Sequence, residues 1–160
     1  MRVLYHRLYI KLAAMALLLG LSQPMLAQGT ATVSTERMTL MQYVMQERPV
    51  LAELITKAGL TPILSDDAPY TLLAPPEAEL EKLKGLPPVR IRAVLLGHIL
   101  QGLYQEKDFK DGASVETLAH TKVTVCRKKN YTLLDGVRIA GAHAQVENGM
   151  LHSLAGKLDL

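Results

Sequence analysis

The chain reads as an α+β domain, and three observations carry that reading. Apolar residues recur at helical spacing through most of the stretch from Thr39 to about Leu100. From Leu103 onward the period falls toward two, and turn signals interrupt it at Asp111-Gly112, Lys128 to Asn130, Asp135-Gly136, Gly141 and Asn148-Gly149. Helices come first and strands after, without the alternation that a parallel βαβ sheet requires.

The first 27 residues stand apart from the fold. Arg2, Arg7 and Lys11 lead into an apolar run from Leu12 to Leu21, then Pro24 and Ala27, the pattern of a secretory signal peptide cut after Ala27. That apolar core is about half the roughly 20 residues that span a bilayer, so no transmembrane anchor is expected after cleavage. Gln28 to Arg37 is small, polar and aperiodic, and is expected to be a flexible leader before a single domain over residues 38–160.

Removing the signal changes what the charge implies. Three of the 18 Lys and Arg lie in it while all 15 Asp and Glu follow it, so the mature chain is neutral. The basic balance of the whole chain therefore belongs to export, and no nucleic-acid partner is expected. Cys126 is the sole cysteine, so the exported domain folds without an internal disulfide. It alternates with Val125 in a strand-like run and reads as a small buried apolar residue.

Each helix has its own signal. Thr39 and Gln42 have capping-box spacing, and Leu40, Tyr43, Val44 and Glu47 continue a helix until Pro49. Leu51, Leu54, Ile55 and Ala58 repeat at three and four, with Gly59 as the stop. After a short turn or helix at Leu60 to Leu64, "YTLLAPP" (Tyr70 to Pro76) is a strand that cannot pass Pro75. It leads into a helix whose first turn holds Pro76, Glu77 and Glu79 and which ends near Lys84 and Gly85. Pro87 and Pro88 open a further helix, Val89 to about Leu100, with His98 on its apolar face beside Ile91, Val94, Leu95 and Ile99.

The last strands form a hairpin. With Asn148-Gly149 as its two-residue turn and positive φ at Gly149, Glu147 pairs with Met150, Gln145 with His152 and His143 with Leu154. That places His143 and His152 diagonally on one face, roughly 7 Å apart, with Ala144, Val146 and Leu151 on the other. Two imidazoles without a third ligand make a weak metal site, and no His or Cys spacing in the chain preorganises zinc. No catalytic site is expected either. Ser65, Ser114 and Ser153 lack a Gly-x-Ser-x-Gly frame, Cys126 has no basic neighbour on its strand face, and Glu77, Glu79 and Glu81 spread around a helix. Arg127, Lys128 and Lys129 read as a solubilising turn.

"YTLLAPPEAEL", "LLGHILQGLY" and "ENGMLHSLAGKL" together resemble the three signature segments of the fasciclin domain family, in order and with suitable separations. The resemblance covers about Thr39 to Leu160 and rests on Tyr70, Thr71, Ala74, Pro75, His98, Asn148, Gly149 and His152. Departures are Pro76 and Glu77 in place of a polar pair, Gly97 where animal members have tyrosine, Ser153, Leu154 and Ala155 after His152, and His143 where an acid is common. Integrin-type recognition through that tyrosine is therefore not carried over. The resemblance implies an antiparallel β-sandwich-like wedge with helices packed around it, those boxes chiefly holding the fold. It further implies an exported, bacterial, non-catalytic adhesion module without cofactor, secreted or periplasmic, monomeric or weakly oligomeric, that binds a surface protein or glycan. The rival expectation is a periplasmic small-ligand or metal-binding protein using His143 and His152.

Overall fold

A computed structural model describes residues 37–159; the expected signal peptide and nearly all of the expected leader lie outside the described residues. No described helix is long and apolar enough to cross a membrane. The domain opens with α1 (Leu40–Glu47), whose capping box is present: Thr39 accepts from the Gln42 N–H and Gln42 returns the bond to the Thr39 N–H. Pro49 begins α2 (Pro49–Lys57), which Gly59 terminates with a φ of 65°. A short α3 (Thr61–Ser65) leads into β1 (Tyr70–Ala74).

Two helix ends fall earlier than their apolar periodicity suggests. α4 (Glu77–Glu81) starts after Pro76, which serves as its N-cap residue, and stops short of Lys84. α5 (Pro88–Leu96) closes at Gly97, so His98 lies past its end and Ile99 belongs to β2 (Ile99–Gln101). The cause is tertiary. Ile99 pairs with Leu72 of β1, and those sheet bonds replace another helical turn. A 3-10 turn (Glu106–Asp108) then precedes β3 (Ser114–Glu116), β4 (Lys122–Arg127), β5 (Thr132–Leu134), β6 (Val137–Val146) and β7 (Gly149–Leu154).

The seven strands form one sheet in the order β2-β1-β7-β6-β5-β4-β3. All neighbours are antiparallel except β1 and β7, which run parallel from Tyr70↔Gly149 to Ala74↔Ser153. The two ends of the sheet approach each other, because Leu100 bridges Thr117 and the Leu118 N–H donates to Ile99 at 2.8 Å. Curling of this kind leaves two cores. One lies between the helices and the sheet face bearing Leu72, Ala74, Ala144, Val146 and Leu151. The other fills the opposite, concave side with Leu73, Leu100, Phe109, Val125, Ile139 and Leu154.

The hairpin between β6 and β7 corrects the expected register. Val146 pairs with Gly149, so the turn is Glu147-Asn148, and His143 lies directly opposite His152 instead of diagonal to it. The shift is two residues along the partner strand, which preserves the faces: Ala144, Val146 and Leu151 still point to the helices. Positive φ is absent at Asn148 and Gly149 and occurs instead in the Asp135-Gly136 turn, at 45° and 80°. Gly149 is needed for space: a Cβ there would stand 2.7 Å from the Tyr70 carbonyl oxygen and 3.0 Å from Leu40 Cδ2. Gly149→Ala is therefore expected to cost about 1–3 kcal/mol through overpacking against backbone. Denaturant unfolding measures it, and an unchanged midpoint would show that β1 and β7 separate without penalty.

Candidate functional site

His152 stands on the concave face of β7 and is fully buried. Its Nε2–H donates to the Tyr104 carbonyl at 2.6 Å, which leaves Nδ1 to accept from His143 Nδ1–H at 2.7 Å. Phe109 packs edge-on against the His152 ring, and Tyr104 stacks on Phe109. His143, half-exposed, turns its other nitrogen to the Glu106 carboxylate at 3.2 Å. With its proton on Nε2 the His152 ring is neutral and presents a lone pair to His143. Burial pushes the His152 imidazole below its ordinary value, and the Tyr104 carbonyl opposes that shift.

The other histidine of the signature segments is likewise committed. His98 Nδ1–H donates to the Val94 carbonyl at 2.8 Å and its Nε2 accepts the Leu158 N–H at 3.1 Å, joining the end of α5 to the segment after β7. Burial lowers its pKa as well. Protonation would set a new N–H against the Leu158 N–H, so the ring works as a neutral connector.

Asn148 is the most connected side chain of the hairpin. Its Oδ1 accepts from the Leu40 N–H at 2.6 Å, satisfying a first-turn donor of α1, while Nδ2 donates to the carbonyls of Leu64 and Asp66. Its own carbonyl takes the Tyr70 N–H. Thr71, buried in β1, donates to the Gly102 carbonyl at 2.7 Å and accepts the Tyr104 N–H at 2.9 Å, so it positions the residue whose carbonyl holds His152. Ala74 is buried against the helices. Pro75 ends β1, and its free carbonyl accepts from Arg48 Nη2 at 2.6 Å.

Arg48 is the residue that sequence reasoning missed. Besides Pro75 it reaches Ser153 Oγ at 3.3 Å and lies 3.9 Å from the Glu77 carboxylate, tying the α1–α2 junction to β1, β7 and α4. Its partners are 27 and 105 residues away, and an arginine before a proline carries no local signal for them. Cys126 is half-buried rather than buried, and Lys128, two residues on, stands beside its sulfur, contrary to the expectation of no basic neighbour. Arg127 does more than solubilise: its guanidinium donates to the carbonyls of Lys107 and Phe109. Glu79 and Glu81 pair with Lys82 and Lys84 on the surface of α4 and the turn after it.

These contacts are chiefly architectural, and they make two predictions. Asn148→Asp keeps the acceptor for Leu40 but sets a carboxylate against two carbonyls. It is expected to cost at least about 2–3 kcal/mol in chemical unfolding, and a loss below that would show the clamp to be dispensable. The second concerns pH. His98 and His152 have folded pKa values below their unfolded ones, so the unfolded chain binds more protons below about pH 6.5. Stability is thus fully present above that pH and falls as pH drops, by up to about 1.4 kcal/mol per pH unit for each histidine. Unfolding free energies between pH 7 and 5 measure the slope; a flat profile would mean that neither ring is held neutral.

The comparisons with known proteins agree with this arrangement. The fasciclin domain model matches residues 47–158. Among solved structures, a FAS1 domain pair from the insect cell adhesion molecule fasciclin I aligns with a TM-score of 0.60 at 11% identity, over 77% of this chain and 51% of that one. The chain thus spans about half the length of that pair, and the likeness is one of fold. No curated protein matches the chain. With the matched stretch running from the end of α1 to the Leu158 amide held by His98, the chain belongs to the fasciclin domain family.

Proposed function

We propose that this protein is an exported, non-catalytic adhesion module that binds a protein or glycan surface outside the cytoplasm. The observation that carries the reading is the family match over residues 47–158. The fold neighbour is half of a domain pair from a cell adhesion molecule, which favours the same use here. The amino-terminal pattern of basic residues, apolar core and small residues supports export.

The geometry adds a physical argument about where contact is made. His98, His152, Asn148 and Thr71 direct their hydrogen-bonding atoms at groups within the domain, so they shape the module from inside. A partner meets the outer surface of the helices, strands and loops. The rival metal reading gains little from the histidine pair, because Glu106 approaches the far nitrogen of His143 and not the shared Nδ1 side. Among the described residues no group of three or more His, Cys, Asp or Glu side chains converges. Two ligands hold a divalent ion weakly.

Purified protein on beads, challenged with intact cells and with a glycan array, is expected to show saturable retention at micromolar concentration. Retention of no cell, glycan or protein at that concentration, by protein whose unfolding is cooperative, would sink the adhesion reading.

A further inference from the structure

A cleft of about 280 Å³ opens where the outer face and end of α5, the loop before β4 and the segment after β7 meet. Ala93, Val94, Ala119 and Leu158 supply apolar wall. Arg90 and Lys157 supply two cations, Thr121 a hydroxyl, and no acidic residue lines the space. His98 contributes to the lining, but both of its ring nitrogens are bonded to Val94 and Leu158, so it contributes a closed surface. Gly97 lines the cleft without a side chain.

Two features oppose an anion here, and both are weaker than what favours it. The carboxyl end of α5 presents a dipole of about half a negative charge. Its last carbonyls, however, already take the N–H groups of Gly97 and His98. Asp159 pairs with Lys157 at 2.8 Å, but its side chain is 95% exposed, so water screens that contact. Lys157 gives its other bond to the Leu158 carbonyl at 3.0 Å, which leaves one ammonium proton for a ligand.

We propose that this cleft binds a carboxylate carried on a short aliphatic body. A guanidinium takes a carboxylate through two parallel bonds, and Arg90 is exposed at the site to do so. Lys157 adds a point charge, and the four apolar residues cover the alkyl part. The volume lies just under the roughly 300 Å³ at which small-molecule pockets usually begin, which selects a small acid over a nucleotide or other large cofactor. The same chemistry comes from two sources, a free short-chain acid or the terminal carboxylate of a partner chain ending in an aliphatic residue. The site goes beyond the adhesion reading and does not depend on it.

Amide chemical shifts of isotope-labelled purified protein test the proposal during titration with sodium hexanoate and with acetyl-alanyl-leucine. Hexanol and the leucine amide of the same peptide serve as uncharged controls. Saturable shifts at Gly97, Ala119 and Leu158 are expected with the acids and not with the controls. Arg90→Gln, at an exposed position, should weaken binding at least tenfold, and Ala93→Phe should abolish it while distant resonances stay in place. Tighter binding of hexanoate assigns the site to a free acid, and tighter binding of the peptide to a partner's terminus. No saturable shift with either acid, equal shifts with the controls, or unchanged affinity in Arg90→Gln overturns the proposal.

Discussion

The domain depends on one amide. Asn148 binds the first turn of α1, the end of α3 and the approach to β1, across 108, 84 and 82 residues of sequence respectively. Its backbone carbonyl then pairs with Tyr70, where the parallel β1–β7 ladder begins. Helix ends buried without partners would carry unsatisfied donors and acceptors, each costing about 1–3 kcal/mol. A single side chain with one acceptor and two donors meets three of those needs at the point where the first and last elements of the domain converge. Gly149 follows it because the chain passes too near Tyr70 for any side chain.

That convergence has a kinetic and an electrostatic side. Closing a parallel pair between strands so distant in sequence requires loop entropy to be lost before the ladder returns it. The polar groups at this seam are correspondingly matched. Among the described residues every buried side-chain nitrogen or oxygen has a partner. Thr71 holds Tyr104, Tyr104 holds His152, and His152 meets His143 and through it Glu106. This row couples two strands and a 3-10 turn. The cleft beside α5, with its two cations, lies on the outer surface, apart from this row.

Much of the fold was legible because local chemistry decides it. The Thr39–Gln42 capping box, the stop at Gly59, the strand broken by Pro75 and the two-residue turn at Asp135-Gly136 each follow from residues a few positions apart. Alternation in the last hairpin placed Ala144, Val146 and Leu151 on the core side and His143 and His152 together on the other. Helical periodicity carried α5 too far, since Ile99 fits an apolar helix face as well as a strand, and only its pairing with Leu72 distinguishes them. The partners of His98, Asn148 and Thr71 lie too far away in sequence to be read from the segments that hold them.

What the sequence determined by itself was composition and period: an export-like amino terminus, equal numbers of acidic and basic residues after residue 27, helices before strands, and the faces of each element. These depend on side-chain type and on spacings of two or three to four residues, which no distant contact alters. Tertiary structure alone decided the parallel β1–β7 pairing, the Glu147-Asn148 turn that sets His143 against His152, and the role of Arg48 across 105 residues. An Asn-Gly pair is compatible with positive φ in a hairpin turn and equally with a clamp followed by a close backbone approach. The choice between them lies in the positions of Leu40 and Tyr70, which the hairpin sequence does not contain.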